Sequence, residues 1–337
     1  MISVLFLTNY KPNTGGISGQ VELLSDCLLK EGFRTTIFNS GSSLFRPFLI
    51  FKLLLIARNY DIIHSHGCSY FGGFYPIILG TLTGKILRRK VIVTYHGGAA
   101  KKFFNQYPMV IKFFLKLADH ITVPSQFLSK IFVEHGLNTI ILPNTLKIRN
   151  SKFRLRTRIK PLLIVTRKLE KIYNINCAIR AFELIKQKYQ NSQLFIVGDG
   201  AEINNLKDQV SQMNIKDVYF KGRIKNDQIY NELDKADIFL NPTTEDNMPI
   251  SVLEALACGL PVISTNVGGI KYLIQDKING LLVDNNDHAA MADRVEQLIH
   301  DYFFAKELII NGSKVAYNYC WDNVRHNLYA IYGFKLS

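Results

Sequence analysis

Cysteine, tryptophan and long apolar runs are scarce in this sequence of 337 residues. The five cysteines are widely separated, and none forms a C-x-x-C pair or a His/Cys spacing that would suit zinc. A small, odd set of scattered cysteines argues against a disulfide framework. We therefore expect a reducing, cytoplasmic environment and exclude the disulfide-stapled and zinc-ribbon classes.

Segments that could cross a membrane are also missing. Residues 1–10 lack the basic flank and the cleavage site of a signal peptide, and they predict a first β-strand. The most apolar stretch, residues 45–57, is interrupted by Arg46 and Lys52. It is shorter than the roughly 20 apolar residues that a transmembrane helix needs. The sequence therefore predicts no membrane span.

Acidic residues are few in the first half of the chain. Residues 1–150 carry 17 Lys and Arg against 6 Asp and Glu, whereas the rest carries 24 against 21. No acid lies between Asp61 and Asp119, and a second run without acids covers residues 135–168. The basic residues of the first run are Lys85, Arg88, Arg89, Lys90, Lys101, Lys102, Lys112 and Lys116. Such a field attracts phosphates, nucleic acid or anionic lipid, although a solvated charged face is the alternative.

Strand and helix patterns alternate along the whole chain. The predicted strands are SVLFLT, RTTIFNS, DIIHSH, KVIVTYH and HITVPS, followed by PLLIVT, QLFIVG, DVYFKG, DIFLNP, PVIST and GLLVD. Continuous β-branched runs are typical of parallel strands that are covered on both faces. The chain is also too long for one ordinary core. We predict an α/β protein with two Rossmann-like, doubly wound domains, residues 1–150 and 151–317, joined within the basic stretch 146–160.

Ligands of such sheets bind beyond the carboxyl ends of the strands, so the loops there are the candidate sites. The loop after the first strand contains Gly15 and Gly16, which would let a phosphate approach the backbone and the next helix. A tight turn is the alternative interpretation. Because the loop lacks the G-x-G-x-x-G pattern, a dinucleotide cofactor is not favoured.

A second candidate is the acidic segment of residues 243–263. It contains a strand end, an acidic loop with Asp246, a helix that begins at Pro249 and a glycine stop. Free amides at the helix start could hold a diphosphate. Glu254 would repel that diphosphate, so its partner would be a neutral diol such as a ribose. The alternative is a solvated helix residue, which its apolar neighbours make less favourable.

This segment resembles the E-x7-E signature of the retaining glycosyltransferases of family 4, the group 1 glycosyltransferases. Asp246 and Glu254 match the two acids, with Asp in place of the commoner Glu. The other similar motifs are Gly15-Gly16-Ile17, YDIIHSH, VTYHGG, ADHITVPSQFL, Leu142-Pro143-Asn144, Val197-Gly198-Asp199-Gly200 and Val267-Gly268-Gly269. The resemblance covers nearly the whole chain. It implies the GT-B fold, in which two Rossmann-like domains face each other across a cleft, with the terminal segment 318–337 packing back onto the first.

The resemblance also implies roles for individual residues. Glu254 would hold the ribose, and Asp246 with the backbone around it would contact the donor sugar. His96 would lie near the reacting sugar, although a packed histidine at a strand end is equally common. His64 and His66 are weaker candidates that share one strand face. The residues expected to bind the nucleotide sugar are Gly15, Gly16, Gly198, Arg223, Asn247, Met248, Pro249, Ile250 and Glu254.

One part of the family pattern is altered. The family offers an Arg and then a Lys about five residues later to bind the departing diphosphate, which gains negative charge in the transition state. Arg167 matches the first, but Tyr173 stands where the second is expected. Either Lys171 acts from a displaced position, or Tyr173 replaces the lysine.

The resemblance implies a retaining glycosyltransferase with a nucleoside diphosphate sugar as co-substrate. Since the sequence has no D-x-D motif, we expect no metal cofactor, with Arg167, Lys171 and helix dipoles in its place. We expect a lipid-linked or surface-polysaccharide acceptor. Residues 45–57 and 101–116 would dock on an anionic membrane surface, unless the first of these is simply a core helix.

Two other functions remain as alternatives. One is a GT-B nucleotide-sugar epimerase, which would release an altered sugar without any acceptor. The other is a basic nucleic-acid-binding protein, which would use the positive field of the first half. The acidic loop at Glu245 and Asp246 has no purpose in that second alternative, so we expect no nucleic acid partner.

Overall fold

The computed structural model describes residues 2–11, 16–41, 49–146, 153–225 and 228–334. The chain divides into two compact units, Met1–Thr145 with Trp321–Ser337 and Leu146–Cys320. Gly15 and the first part of the apolar stretch, residues 45–48, lie outside the described residues. Within the described residues, no helix combines the length and the apolar character that a bilayer crossing requires.

The first unit contains a parallel sheet with helices on both faces. Its strands are β1 Ser3–Thr8, β2 Arg34–Asn39, β3 Ile62–Gly67, β4 Lys90–Tyr95, β5 His120–Val123 and β6 Ile140–Ile141. Its helices include α1 Ile17–Lys30, α2 Leu49–Ala57, α3 Tyr70–Leu87, α4 Ala100–Gln106, α5 Pro108–Lys116 and α6 Gln126–Glu134. The strand order is β2-β1-β3-β4-β5-β6, so the chain changes direction across the sheet between β1 and β3.

The second unit repeats this architecture. Its strands are β7 Leu162–Thr166, β8 Gln193–Val197, β9 Val218–Gly222, β10 Ile238–Asn241, β11 Val262–Thr265 and β12 Leu281–Val283. Its helices are α7 Ile175–Lys188, α8 Ile203–Gln212, α9 Ile229–Asp234, α10 Ile250–Ala257, α11 His288–His300 and α12 Tyr302–Tyr317 among the described residues. The parallel strands lie in the order β12-β11-β10-β7-β8-β9. The change of direction here falls between β7 and β10.

Burial on both faces explains why the strands read as continuous apolar runs. In β1, Val4 and Phe6 pack on the side of α1, whereas Leu5 and Leu7 pack on the side of α2. Because alternate side chains enter opposite cores, no position of the strand can be polar without a cost. The predicted α/β class with two Rossmann-like, doubly wound sheets is confirmed.

The last helix, α13 Trp321–Tyr332, belongs to the first unit. The indole Nε1 of Trp321 donates to Glu31 at 2.7 Å, and Arg325 donates to the same carboxylate oxygen at 3.0 Å. The ring of Tyr329 stacks on Phe33 with 5.7 Å between centroids. These contacts attach the terminal helix to the carboxyl end of α1.

The basic stretch at the start of the second unit is partly neutralised within the fold. Arg156 is buried, and its guanidinium donates to Asp237 and to the carbonyl groups of Ala236, Cys258 and Gly259. Arg154 also pairs with Asp237, at 3.2 Å. Burial lowers the pKa of Arg156. Arg156 is therefore not part of an open field for anions, whereas Arg154 remains exposed and shares the charge of Asp237.

Replacing Arg156 with methionine should destabilise the protein by about 3 kcal/mol, because buried carbonyl groups lose their donor and Asp237 loses one of its two arginine partners. Arg158→Met is the matched control, since Arg158 is exposed and should change the stability little. Urea unfolding followed by circular dichroism measures both variants. Equal free energies of unfolding for the two variants would contradict a stabilising role for the buried hydrogen bonds of Arg156.

Candidate active site

The switch in strand order of the second unit brings two loops together. Arg167 follows β7 directly, and residues 242–249 follow the neighbouring strand β10. All strands of the sheet are parallel, so both loops lie at its carboxyl edge. This is the position where open α/β sheets bind their ligands.

Arg167 is the centre of this edge. Its guanidinium forms an ion pair with Asp246 and donates to the hydroxyl of Ser251 at 3.2 Å. It also lies over the ring of Tyr173, 4.3 Å from the centroid. Burial lowers its pKa to about 10, so the group stays charged at neutral pH. Sequence reasoning predicted Arg167 and Asp246 separately and missed both their pairing and Ser251.

Lys171 and Tyr173 belong to one 3-10 turn, Lys171–Tyr173, but their side chains have different surroundings. The carbonyl of Ile172 accepts hydrogen bonds from the amide of Thr244 at 2.8 Å and from the hydroxyl of Thr243 at 3.0 Å. This fixes the turn against the acidic loop. Lys171 is exposed, while Tyr173 packs on the guanidinium. Tyr173 thus lies beside Arg167, where the family pattern leads one to expect a lysine.

Glycines allow the backbones around the ion pair to approach closely. A Cβ on Gly268 would lie 2.1 Å from the carbonyl oxygen of Asp246, and one on Gly269 would lie 1.9 Å from that of Asn247. Gly198 adopts a φ of 144°, and its Cβ would lie 1.8 Å from the carbonyl oxygen of Arg167. The Gly198 and Gly268-Gly269 motifs therefore hold the ion-paired residues in place.

The start of α10 presents unpaired polar groups. Pro249 caps the helix, and the amides of Ile250 and Ser251 donate to no residue in the described ranges. Glu254 follows one turn later, without a hydrogen-bond partner for its carboxyl group among those residues. Burial raises the pKa of Glu254 from 4.5 to about 8. Glu254 is half-buried, and a carboxyl group that loses much of its water without gaining a partner in the described residues is destabilised, which suits a residue whose partner is a ligand.

The remaining predicted binding residues of the second unit are spread around this edge. The amide of Asn247 donates to the carboxylate of Asp246 at 3.0 Å, and Met248 is half-buried beside it in the chain. Arg223 is exposed on the turn after β9. The amide of Gly198 donates to the carbonyl of Gly222 at 2.9 Å, which brings the Gly198 and Arg223 turns together.

The predicted histidines form a cluster in the first unit. His64 and His66 lie on one face of β3, with ring centroids 4.3 Å apart. His96 follows β4, and its Nε2 lies 3.0 Å from Nδ1 of His66. Burial lowers the pKa of His96 to about 4 and that of His64 to about 3. Gly16 lies at the start of α1 with a φ of 70° and open space where a Cβ would be.

Comparison with protein-family models assigns both units. Residues 148–315 match the family model "Glycosyl transferases group 1", and residues 28–146 match the model "Glycosyltransferase Family 4". Together the two models span most of the chain. It belongs to the group 1 glycosyltransferases. The predicted glycosyltransferase class is therefore confirmed.

Named relatives and solved structures agree with this family. An uncharacterized glycosyltransferase of Methanocaldococcus jannaschii is 28% identical over 48% of this chain and 42% of its own length. An alpha-monoglucosyldiacylglycerol synthase of Streptococcus pneumoniae is 27% identical over 82% of this chain and 74% of its own. The crystal structure of Anabaena HepE in complex with UDP is similar with a TM-score of 0.80 and 18% identity, over 99% of this chain and 100% of that one. The last similarity shows the GT-B fold.

The carboxyl group of Glu254 should make the stability of this glycosyltransferase depend on pH. Its pKa is higher in the folded chain than in the unfolded chain, so the folded state binds more protons between pH 4.5 and about 8. The contribution of Glu254 to the free energy of unfolding should therefore decrease as the pH rises through that window, opposite in sign to the contribution of the buried histidines, whose pKa values are lowered. Glu254→Gln should remove this contribution, so its stability should rise relative to that of the unmodified protein as the pH increases.

Urea unfolding of the ligand-free protein at pH 5.5 and pH 8.5 measures this effect. Glu245→Gln serves as the control, because Glu245 is exposed in the same loop and should retain the full pH dependence. The same pH dependence in all three proteins would contradict the raised pKa of Glu254.

Proposed function

We propose that this glycosyltransferase transfers a sugar from a nucleoside diphosphate sugar to an acceptor hydroxyl, with retention at the anomeric carbon. The observation that carries the proposal is the set of unsatisfied polar groups on one side of α10. Arg167 contacts Ser251, and Glu254 lies three residues further along the helix, on the same face. A cation, a carboxyl group and helix amides that lack partners among the described residues are thus close together.

The chemistry of these groups suits a sugar nucleotide. The amides of Ile250 and Ser251, at the positive end of α10, and the guanidinium of Arg167 would bind the diphosphate. The carboxyl group of Glu254 would ionise when a ribose binds, because the carboxylate accepts hydrogen bonds from both ribose hydroxyls and these bonds lower its pKa. The similar fold of HepE in complex with UDP supports a uridine nucleotide as the first candidate.

Charge at the leaving group explains the position of Arg167. When the bond to the sugar breaks, the diphosphate oxygen gains negative charge, and a buried cation stabilises that charge more than one in water. We expect this cation and the helix dipole to serve without a divalent metal. Transfer should therefore persist in the presence of EDTA.

The surroundings of Asp246 favour attack from the same face without a protein nucleophile. Arg167 binds its Oδ2, and the amide of Asn247 donates to its Oδ1 at 3.0 Å. A carboxylate with both oxygens engaged is a poor nucleophile. Asp246 would instead orient Arg167 and accept hydrogen bonds from the donor sugar.

Nucleotide binding tests the proposed roles directly. UDP, GDP, ADP and their sugars should be screened by thermal shift, with an increase in melting temperature expected for the true donor nucleotide. Glu254→Ala should abolish this increase. Asp246→Ala should keep nucleotide binding and reduce transfer by about a hundredfold, because it loosens Arg167 in the transition state.

Small and equal effects of the two substitutions would remove both residues from the site. A product analysis with the sugar nucleotide alone distinguishes the epimerase, which would release an altered free sugar. Anomeric configuration, read by NMR of the product, tests retention.

We further propose that the acceptor is lipid-linked and that the first unit docks on an anionic membrane. Helix α5 exposes Met109 and Phe113, which are 84% and 59% accessible, next to Lys112 and Lys116. These four residues are referred to as the α5 surface. Apolar side chains flanked by lysines are typical of helices that lie in the membrane interface. The S. pneumoniae relative is named for a glucosylated diacylglycerol, which supports a lipid acceptor.

Helix α2 adds a second exposed apolar face. Of the stretch 45–57, the described part buries Leu53 and Ala57, while Phe51 and Leu55 are exposed at 64% and 62%. Lys52 is exposed between them in the chain. Helix α2 is therefore not simply a core helix. Like the α5 surface, its outer face combines exposed apolar side chains with lysine.

Vesicle flotation tests the α5 surface. The protein should float with vesicles that contain anionic lipid, and Lys112→Glu with Lys116→Glu should weaken binding by about tenfold or more, since each lysine near the surface contributes about 1 kcal/mol. Met109→Glu with Phe113→Glu should also release the protein. Phe303→Glu is the control, because Phe303 is 77% exposed in the second unit. Equal binding to neutral vesicles would contradict the proposal.

A further inference from the structure

The buried histidines of the first unit form two hydrogen-bonded groups with different partners. His64 is bonded to Thr94 and to Tyr332 of α13, whereas His66 is bonded to His96. A neutral imidazole carries one proton, so the partners of one nitrogen decide what the other nitrogen can do. Both groups can therefore be read as directed chains of donors and acceptors.

The donors and acceptors in the row of hydrogen bonds through His64 can be assigned by starting from Thr122. The hydroxyl of Thr122 lies 3.1 Å from the carbonyl of Val93 and 2.6 Å from the hydroxyl of Thr94, and donation to the carbonyl leaves it to accept from Thr94. Thr94 has then used its only proton and accepts from Nε2 of His64 at 2.7 Å. Nδ1 of His64 must accept from the hydroxyl of Tyr332 at 2.9 Å.

Both nitrogens of His64 are thus occupied, and His66 receives nothing from it. Nε2 of His66 is buried and has no hydrogen-bond partner in the described part of the chain. The neighbouring rings are those of His64 and Phe6, with centroids 4.3 Å and 5.7 Å away. A buried N–H without an acceptor is rarer in proteins than a buried acceptor without a donor. The proton of His66 therefore belongs on Nδ1.

We propose that His66 is a positioning residue that fixes the tautomer of His96. Nδ1–H of His66 donates to Nε2 of His96 across 3.0 Å, and the two rings lie edge to edge, with centroids 5.3 Å apart and an interplanar angle of 19°. His96 must then carry its own proton on Nδ1. It presents an N–H donor to a ligand oxygen and cannot act as a proton acceptor at that nitrogen.

His96 lies where an N–H donor on its ring could contact a ligand. Its amide donates to the carbonyl of Gly67 at 2.8 Å, which fixes the residue at the carboxyl edge of the sheet. Its Nδ1 has no partner among the residues that the structure describes. Burial keeps the ring neutral, since the pKa of His96 is lowered to about 4. The benefit for catalysis rests on the proposed function, whereas the tautomer itself does not.

The tautomer is measurable in the ligand-free full chain by two-bond ¹H–¹⁵N correlation spectra of ¹⁵N-histidine-labelled protein. His96→Gln assigns the signal. We expect His96 in the Nδ1–H form in the unmodified protein. An Nε2–H form of His96 would overturn the proposal.

Two substitutions of His66 separate the donor from the packing. Asn places an amide N–H close to the position of Nδ1, so His66→Asn should keep the Nδ1–H form of His96 and most of kcat. His66→Leu has similar bulk without a donor, so His96 should populate the Nε2–H form as well. In that variant kcat should fall about tenfold or more, with little change in KM for the sugar nucleotide.

The outcomes are distinguishable from a failure of the proposed function. An unchanged His96 tautomer in His66→Leu would overturn the positioning role. His64→Gln is the control, because its amide can still donate to Thr94, and it should leave the tautomer of His96 unchanged. If the spectra show the expected tautomers but the protein transfers sugar from no sugar nucleotide, the arrangement of the histidines is supported. Only the proposed function is then rejected.

Discussion

The ion pair between Arg167 and Asp246 is the contact on which the candidate site depends. Neither charge could be buried at the sheet edge alone, because an unpaired buried charge is strongly destabilising. The pair requires β7 and β10 to be neighbours, and it requires Gly268 to let the chain pass close to Asp246. Strand order, glycine motif and acidic loop are therefore parts of one constraint.

The two units share one architecture, but the carboxyl edge of the sheet carries charged groups in the second unit and neutral groups in the first. In the second unit the carboxyl edge carries a buried cation with its counter-ion, next to helix amides that have no partner in the described part of the chain. In the first unit the corresponding edge carries imidazoles that burial keeps neutral. A charged edge suits a diphosphate, and a neutral edge of oriented hydrogen-bond donors suits the hydroxyl groups of a sugar.

Membership in the group 1 glycosyltransferases accounts for the fold and the reaction class, and this chain departs from the family pattern beside Arg167. Tyr173 packs its ring on the guanidinium and leaves Lys171 exposed. A ring face attracts a cation and restrains its orientation, but it adds no positive charge. Arg167 is therefore held by an aromatic ring, a hydroxyl and a carboxylate at once.

Much of this protein is encoded locally. The alternation of β-branched runs with helical segments predicts both sheets, because strands covered on two faces must be apolar throughout. The E-x7-E segment predicts Asp246 and Glu254 as site residues, because the two are close in the sequence and are joined by one loop and the first turns of one helix. The short strand β6 carries no such pattern, because it has only two residues, both exposed. Only the tertiary structure paired Arg167 with Asp246, paired Arg154 and Arg156 with Asp237, and joined His66 to His96. These partners lie between 30 and 83 residues apart, and the order of strands in the sheet, which no local pattern encodes, decides which of them meet.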